Sequence, residues 1–373
     1  MPKHSIQPAQ VAAFRLSRHH FMDRVPSRVY LVCRDVCGVQ AQVMSSAQMA
    51  LWARIRNLKR SDVYDALWKK RTIVKTSAMR QTLHLLAASD FSIYIAALKA
   101  SRLRAVHRLT AKFGITPKEL EALDKAILKA LCDGPVLQCK LRELVIAKGG
   151  PNVQKWASVV WSVFRSAIAQ GLICYGPEQG QQVTLVRTDK WLPPQPSTSE
   201  VVAQSYLVRR YLRAYGPATA NDFAHWSGLS VREAKAAWRN VQGDLVEVTY
   251  NAKKASLLQE DLNVLHECDL RDWIIRVLPG FDSFVLAHAD KDHLVPPHYY
   301  KRVFRNQGWI SPVILFDGKV VGTWSYKRGS KISFEVSLFK KFSKIILTKI
   351  EEQSADLARF LESEYEIKFV FAE

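Results

Sequence analysis

The stretch NVQKWASVVWSVFRSAIAQGLICYGPEQGQQVTLVRTD (residues 152–189) decides the fold. Its first half places apolar residues at helical spacing, at Trp156, Val159, Val160, Val163, Phe164 and Ala167, and the pattern stops at Gly171. Its second half predicts two strands around a Pro-Glu-Gln-Gly turn. A helix that runs into a hairpin is the core of a winged helix. Upstream, TPKELEALDKAILKALCDGPVLQCKLRELVIAKG supplies the preceding helices. There Thr116 is placed as N-cap, Pro117 at the first helical position and Glu119 at the third, a capping-box arrangement.

Working outward, the plan recurs. After the Pro/Ser linker WLPPQPSTS (191–199), an amphipathic helix ends at Gly216. Two helices follow, broken at Ser227-Gly228 with Ser230 capping the second, and LVEVTYNAKKASLL closes the unit as strands around Asn251-Ala252-Lys253. A looser copy occupies residues 6–90. Pro26 and Ser27 open a helix through Arg34, SAQMALWARI predicts a second, SDVYDALWKKR a third capped by Ser61, and RTIVKTSAMRQTLHLLA the strands and wing. From about residue 265 the chain turns rich in Val, Ile and Phe. VLPGFDSFVLAHADKDHLV, ISPVILFDGKVVGTWSYKRGSKISFEVSLF and EIKFVFAE predict a small curved sheet with LTKIEEQSADLARFLESE laid on it. The expectation is an α+β protein of tandem winged helices (1–112, 113–192 and 193–264) followed by a small C-terminal β domain (265–373).

Charge points to a partner. The chain carries +20, from 54 Lys+Arg against 34 Asp+Glu, and residues 1–110 hold 19 Lys/Arg and 5 Asp, so 19 − 5 = +14 falls in the first third. A polyanion suits that third. Six cysteines without CxxC pairs suggest neither a zinc site nor a disulfide framework, and the chain reads as a reduced cytoplasmic protein. No apolar run approaches the roughly 20 residues that span a bilayer.

The triplet Gln40-Ala41-Gln42 follows Gly38. Glutamine cannot transfer a proton, but its carbonyl accepts and its NH2 donates. Two amides two residues apart share a side only in an extended or irregular segment, and Gly38 permits such a break before a helix expected from Ser45. Such a pair can hold one water. A solvated loop is the plainer alternative.

Taken together, Gly38-Val39-Gln40-Ala41-Gln42, MRQTLHLL (79–86), PGFDSF (279–284) and DGKVVGTWSYKRG (317–329) resemble the bacterial AlkZ/YcaQ family of DNA glycosylases, over nearly the whole chain and in the family's order. The resemblance implies removal of alkylated purines, including N7 adducts and interstrand crosslinks, by hydrolysis of the N-glycosidic bond. Gln40-Ala41-Gln42 is similar to the Gln-x-Gln branch, associated with self-resistance to DNA-crosslinking natural products, rather than to the Gln-x-Asp branch. It implies Gln42 as the main water-positioning residue, with Gln40 as its partner, and no metal or other cofactor. It also implies that Arg80, Gln81, Thr82 and His84 lie near DNA, and that a C-terminal hairpin touches the minor groove. The basic cluster Arg54, Arg56, Lys59 and Arg60 is a candidate for phosphate contact. For His84 the alternative is a buried strand histidine bonded to backbone, and for the cluster a solvated face; Asp282 is a catalytic candidate for which a turn or capping role is the plainer reading. Trp52, Trp68, Trp156, Trp161 and Trp238 sit at core spacing. The expected partner is double-stranded DNA bearing alkylated or crosslinked purines, bound by a monomer. A winged-helix transcriptional regulator is the main alternative.

Overall fold

The computed structural model describes residues 4–26, 28–159, 163–180, 182–270 and 273–371. Val160, Trp161 and Ser27 lie outside the described residues.

The first unit runs α1 (Pro8–Arg18), α2 (Val29–Asp35), β1 (Val39–Gln40), α3 (Met44–Trp52), α4 (Arg60–Tyr64), β2 (Ile73–Ser77), β3 (Leu83–Ala87) and the long α5 (Phe91–Ala111). Its three strands form an antiparallel sheet in the order β1-β3-β2. Ser61 does not cap α4. The helix starts two residues earlier, with Lys59 at the N-cap position, where the Asp62 carboxylate accepts the backbone N–H of Lys59 at 2.9 Å, because a third-position carboxylate satisfies the free N–H of the first turn.

The second unit has α6 (Pro117–Ala130), β4 (Val136–Leu137), α7 (Gln138–Lys148), α8 (Pro151–Val159), α9 (Arg165–Ala169), β5 (Ile173–Gln179), β6 (Gln182–Arg187) and α10 (Thr188–Trp191), with strand order β4-β6-β5. Thr116 caps α6 as its sequence predicts, accepting the Glu119 N–H at 3.3 Å while the Glu119 carboxylate takes the Thr116 N–H at 2.7 Å. The third unit has α11 (Glu200–Tyr215), α12 (Ala220–Ser227), α13 (Val231–Arg239), the hairpin β7 (Leu245–Tyr250) and β8 (Lys253–Leu258), and α14 (Leu262–Glu267). Gly228 ends α12 in the left-handed region, and Ser230 caps α13.

The C-terminal part holds β9 (Ile275–Leu278), α15 (Ser283–Leu286), α16 (Tyr300–Val303), β10 (Val313–Phe316), β11 (Lys319–Arg328), β12 (Ile332–Leu338), α17 (Lys344–Phe360) and β13 (Tyr365–Phe371). Its sheet order is β13-β12-β11-β10-β9, antiparallel except for β12 with β13, whose parallel pairing requires the crossover that α17 provides. VLPGFDSFVLAHADKDHLV is not a strand-rich run as expected. Only its start pairs; Pro279 and Gly280 interrupt it, and Asp282 then caps α15 by accepting the Phe284 N–H at 2.9 Å.

The first unit is central. One face of its sheet, with Val39, Ala41, Ile73 and Leu85, shares a core with the C-terminal sheet. The other face, with Val74, Met79 and Leu86, shares a core with α5 and the third unit. The second unit has a core of its own around Ile127, Trp156 and Phe164.

Candidate active site

Gly38 shapes the entry to β1. Its φ is 93°, and a Cβ there would lie 2.8 Å from Leu86 Cδ2, so both conformation and space require glycine. The chain then extends. Ala41 N donates to Leu83 O at 2.6 Å and its methyl is buried toward the C-terminal sheet. Alternation therefore sends the side chains of Gln40 and Gln42 together to the opposite face, toward the third unit.

Both amides are held. Gln40 is buried at 7% exposure and sits opposite His84 in the β1–β3 pairing. Arg80 Nη2 donates to Gln40 Oε1 at 2.9 Å, while Arg80 Nη1 donates to the carbonyl of Trp226 at 2.6 Å. Arginine only donates, so the Gln40 carbonyl must face Arg80 and its NH2 must face away. Gln42 is exposed, and Leu83 N donates to its Oε1 at 3.3 Å. The same reasoning fixes its amide. Each carbonyl keeps a second lone pair, and each NH2 is directed away from these contacts.

Arg80 is carried by the turn between β2 and β3, in which Arg80 and Gln81 have φ of 52° and 59°. Gly228, at the end of α12, presses on this turn: a Cβ there would lie 2.8 Å from both Cα and N of Arg80. Thus the helix–turn–helix of the third unit seats the residue that holds Gln40.

Several basic groups, most of them buried, lie around Gln40. Burial lowers the Arg80 guanidinium below its ordinary value. Burial, then Arg80, pushes His84 down to about 3, so its ring is neutral. Arg102 on α5 is pushed down to about 10 by burial, and its Nη1 has no hydrogen-bond partner among the described residues. Lys291 is pushed down to about 7, first by burial and then by Arg80, and donates to the His288 carbonyl. His225 keeps an exposed face, and partial burial, then Lys291 and Arg80, lower it to about 4.

The other expected residues divide. Arg54 is corrected: it is fully buried, its Nη1 and Nη2 donate to the two Asp282 carboxylate oxygens at 2.7 Å each and Nη1 also to Ala50 O at 2.8 Å. Its guanidinium lies 4.3 Å from the Phe21 ring centre. With no exposed face it cannot meet a phosphate; it ties α3 to the C-terminal part. His84 is also corrected, being buried with Nδ1 2.9 Å from Thr82 O. Arg80 points inward onto Gln40 rather than outward. Arg56, Lys59 and Gln81 are exposed and Arg60 half-buried. Half-buried Thr82 donates to Met79 O at 3.1 Å. Trp52, Trp156 and Trp238 are buried, and Trp68 is half-buried. Arg102, Lys291 and the Trp226 carbonyl carry no local sequence signal, since each meets the Gln40 neighbourhood only through tertiary packing.

A family model described as AlkZ-like DNA glycosylase matches residues 33–360. A curated relative, the interstrand DNA cross-link repair glycosylase of Streptomyces sahachiroi, is 31% identical over 366 residues, covering 94% of this chain and 95% of that protein. The solved structure of the Streptomyces sahachiroi DNA glycosylase AlkZ superposes with a TM-score of 0.84 at 27% identity, covering 98% of this chain and 100% of that one. Among the described residues no helix is long and apolar enough to cross a membrane.

Proposed function

The chain belongs to the AlkZ-like DNA glycosylase family, and from that premise we propose that it hydrolyses the N-glycosidic bond of alkylated purines in duplex DNA, with crosslinked N7 adducts among its substrates, using a water held by Gln40 and Gln42. The observation that carries this reading is the pair of amides pinned on one face of the extended segment that begins with β1, Gln42 exposed and Gln40 buried. Support for duplex substrates comes from the three units of helices and antiparallel strands, which we read as winged helices over residues 1–112, 113–192 and 193–264, followed by the β domain from 265. The exposed hairpin tip carrying Lys327, Arg328 and Lys331 suits the minor groove.

N7-alkylation makes the purine cationic, so it departs without protonation and no strong general acid is required. As the bond from C1′ to N9 breaks, its electron pair neutralises the purine and the sugar gains oxocarbenium character. A water accepting a hydrogen bond from the Gln40 NH2 and donating one to the second lone pair of Gln42 Oε1 keeps its remaining lone pair for C1′. The Gln42 carbonyl dipole stabilises the positive charge that develops. The water proton passes to solvent, because an amide cannot retain it.

The test is incubation of the native protein with a duplex carrying one 7-methylguanine or a bulkier N7 adduct, with half of each sample then treated with hot alkali. Free alkylpurine with strand breakage only after alkali is the expected result and marks a monofunctional glycosylase. Tight binding with no base released from either lesion overturns it in favour of a regulator.

A further inference from the structure

Residues 293–316, HLVPPHYYKRVFRNQGWISPVILF, contain no Asp or Glu but include Lys301, Arg302 and Arg305. Within them the chain folds back on itself. Phe304 and Ile310 form an antiparallel bridge, Arg305 N donates to Trp309 O at 2.8 Å, and the tip turns through Gln307 and Gly308 at φ of 58° and 75°. Residues 305–309 are all exposed, and Trp309 leaves 49% of its surface in solvent. Lys301, Phe304, Arg305, Asn306, Gln307 and Trp309 line an open concavity of about 630 Å3.

The indole is held in place although it is exposed. Its ring stands edge-on to Phe281, centroids 5.1 Å apart, and Phe281 is itself in the left-handed region at φ 64°. Phe281 belongs to the segment whose Ser283 hydroxyl donates to Gly38 O at 3.0 Å, two residues before Gln40. The hairpin is thus joined to the backbone of the Gln-Ala-Gln segment by one ring contact and one hydrogen bond.

A fixed, half-exposed indole among cations that have no carboxylate partner among the described residues matches the chemistry of a nucleotide: a flat ring to stack on, and phosphates to neutralise. We propose that the Arg305–Trp309 hairpin is a second DNA-contacting element, in which Trp309 stacks on a nucleobase displaced from the duplex beside the lesion while Lys301, Arg302 and Arg305 bind the adjoining phosphates. This rests on the reading of the protein as a DNA glycosylase, but it concerns binding and not the chemical step.

The experiment measures the affinity of the native protein, Trp309→Ala, Trp309→Phe and Arg305→Ala for a duplex with a tetrahydrofuran abasic analogue, over a salt series. Base stacking predicts at least about a fivefold loss for Trp309→Ala, most of it restored by Trp309→Phe, which keeps a ring against Phe281. Arg305→Ala should lower the salt slope by about 0.9. In parallel, the same duplex with single 5-iodouracil substitutions near the gap is photo-crosslinked, and the adduct should map to Trp309. Native affinity in Trp309→Ala, or crosslinks that fall only outside the hairpin, overturns the proposal. Base release by the native protein is assayed alongside, so failure of the glycosylase reading is seen separately, as absent product with the hairpin effects intact.

Discussion

At the scale of single residues, the account turns on Arg80. The bond from Arg80 to Gln40 Oε1 fixes the orientation of that amide, so in the proposed mechanism Arg80 is a positioning residue. Arg80→Ala frees the amide to rotate and is expected to slow single-turnover base release about 100-fold, with affinity for undamaged duplex unchanged, whereas Arg80→Lys should recover part of the rate. A rate loss matched by an equal loss of affinity would instead make Arg80 a DNA contact. His84 yields a prediction about acid stability. Its value in the folded protein is about 3 against an ordinary 6.5, so between these the unfolded chain binds a proton that the folded chain refuses. Stability must then fall as pH drops from 6.5 toward 3, by up to about 1.4 kcal/mol per pH unit from this group, with no contribution above that window. Urea midpoints at pH 7, 5 and 4 should decline less steeply for His84→Gln than for the native chain.

At the scale of elements, two long-range ties position the site. The buried Arg54–Asp282 pair fastens α3 to the start of α15, and removing one partner strands a charge in the core. Asp282→Ala is expected to cost about 3–5 kcal/mol in chemical unfolding, and a loss below 1 kcal/mol would refute the tie. The second tie is the seat of Gly228 on the Arg80 turn. Gly228→Ala meets an unfavourable φ of 80° and a clash at 2.8 Å with the Arg80 backbone, so it should lower stability by about 1–2 kcal/mol and also slow base release, although Gly228 touches no substrate. These ties also mark where sequence reading stops. Thr116, Ser230 and the Ser227-Gly228 break are legible because caps and helix stops are decided by neighbours in the chain. The extended Gln40-Ala41-Gln42 segment is legible too, from Gly38. Arg54 looks like a surface cation in the sequence because its partner lies 228 positions away, and no local pattern announces that pairing. The inward turn of Arg80 is hidden from the sequence for the same reason, since the Trp226 carbonyl that receives it belongs to a different unit. PGFDSF failed as a strand because a single carboxylate, acting as a cap, overrode β-prone neighbours.

At the scale of the molecule, the first unit is clamped on both faces, by the C-terminal sheet and by the third unit, and β1 lies between the two cores. Gln42 reaches solvent at the edge of that arrangement, which leaves room for an adduct too large for an enclosed pocket. The positive excess of the first third predicts affinity that falls steeply with salt and depends little on sequence. The chemical step should depend on the amides. Single-turnover base release from a 7-methylguanine duplex, measured with duplex affinity for the native protein and Gln42→Ala, is therefore the most direct test. Native-like affinity and a release rate reduced at least about 100-fold are expected, as for loss of one preorganised dipole aimed at the developing charge. Release by Gln42→Ala at the native rate would contradict it.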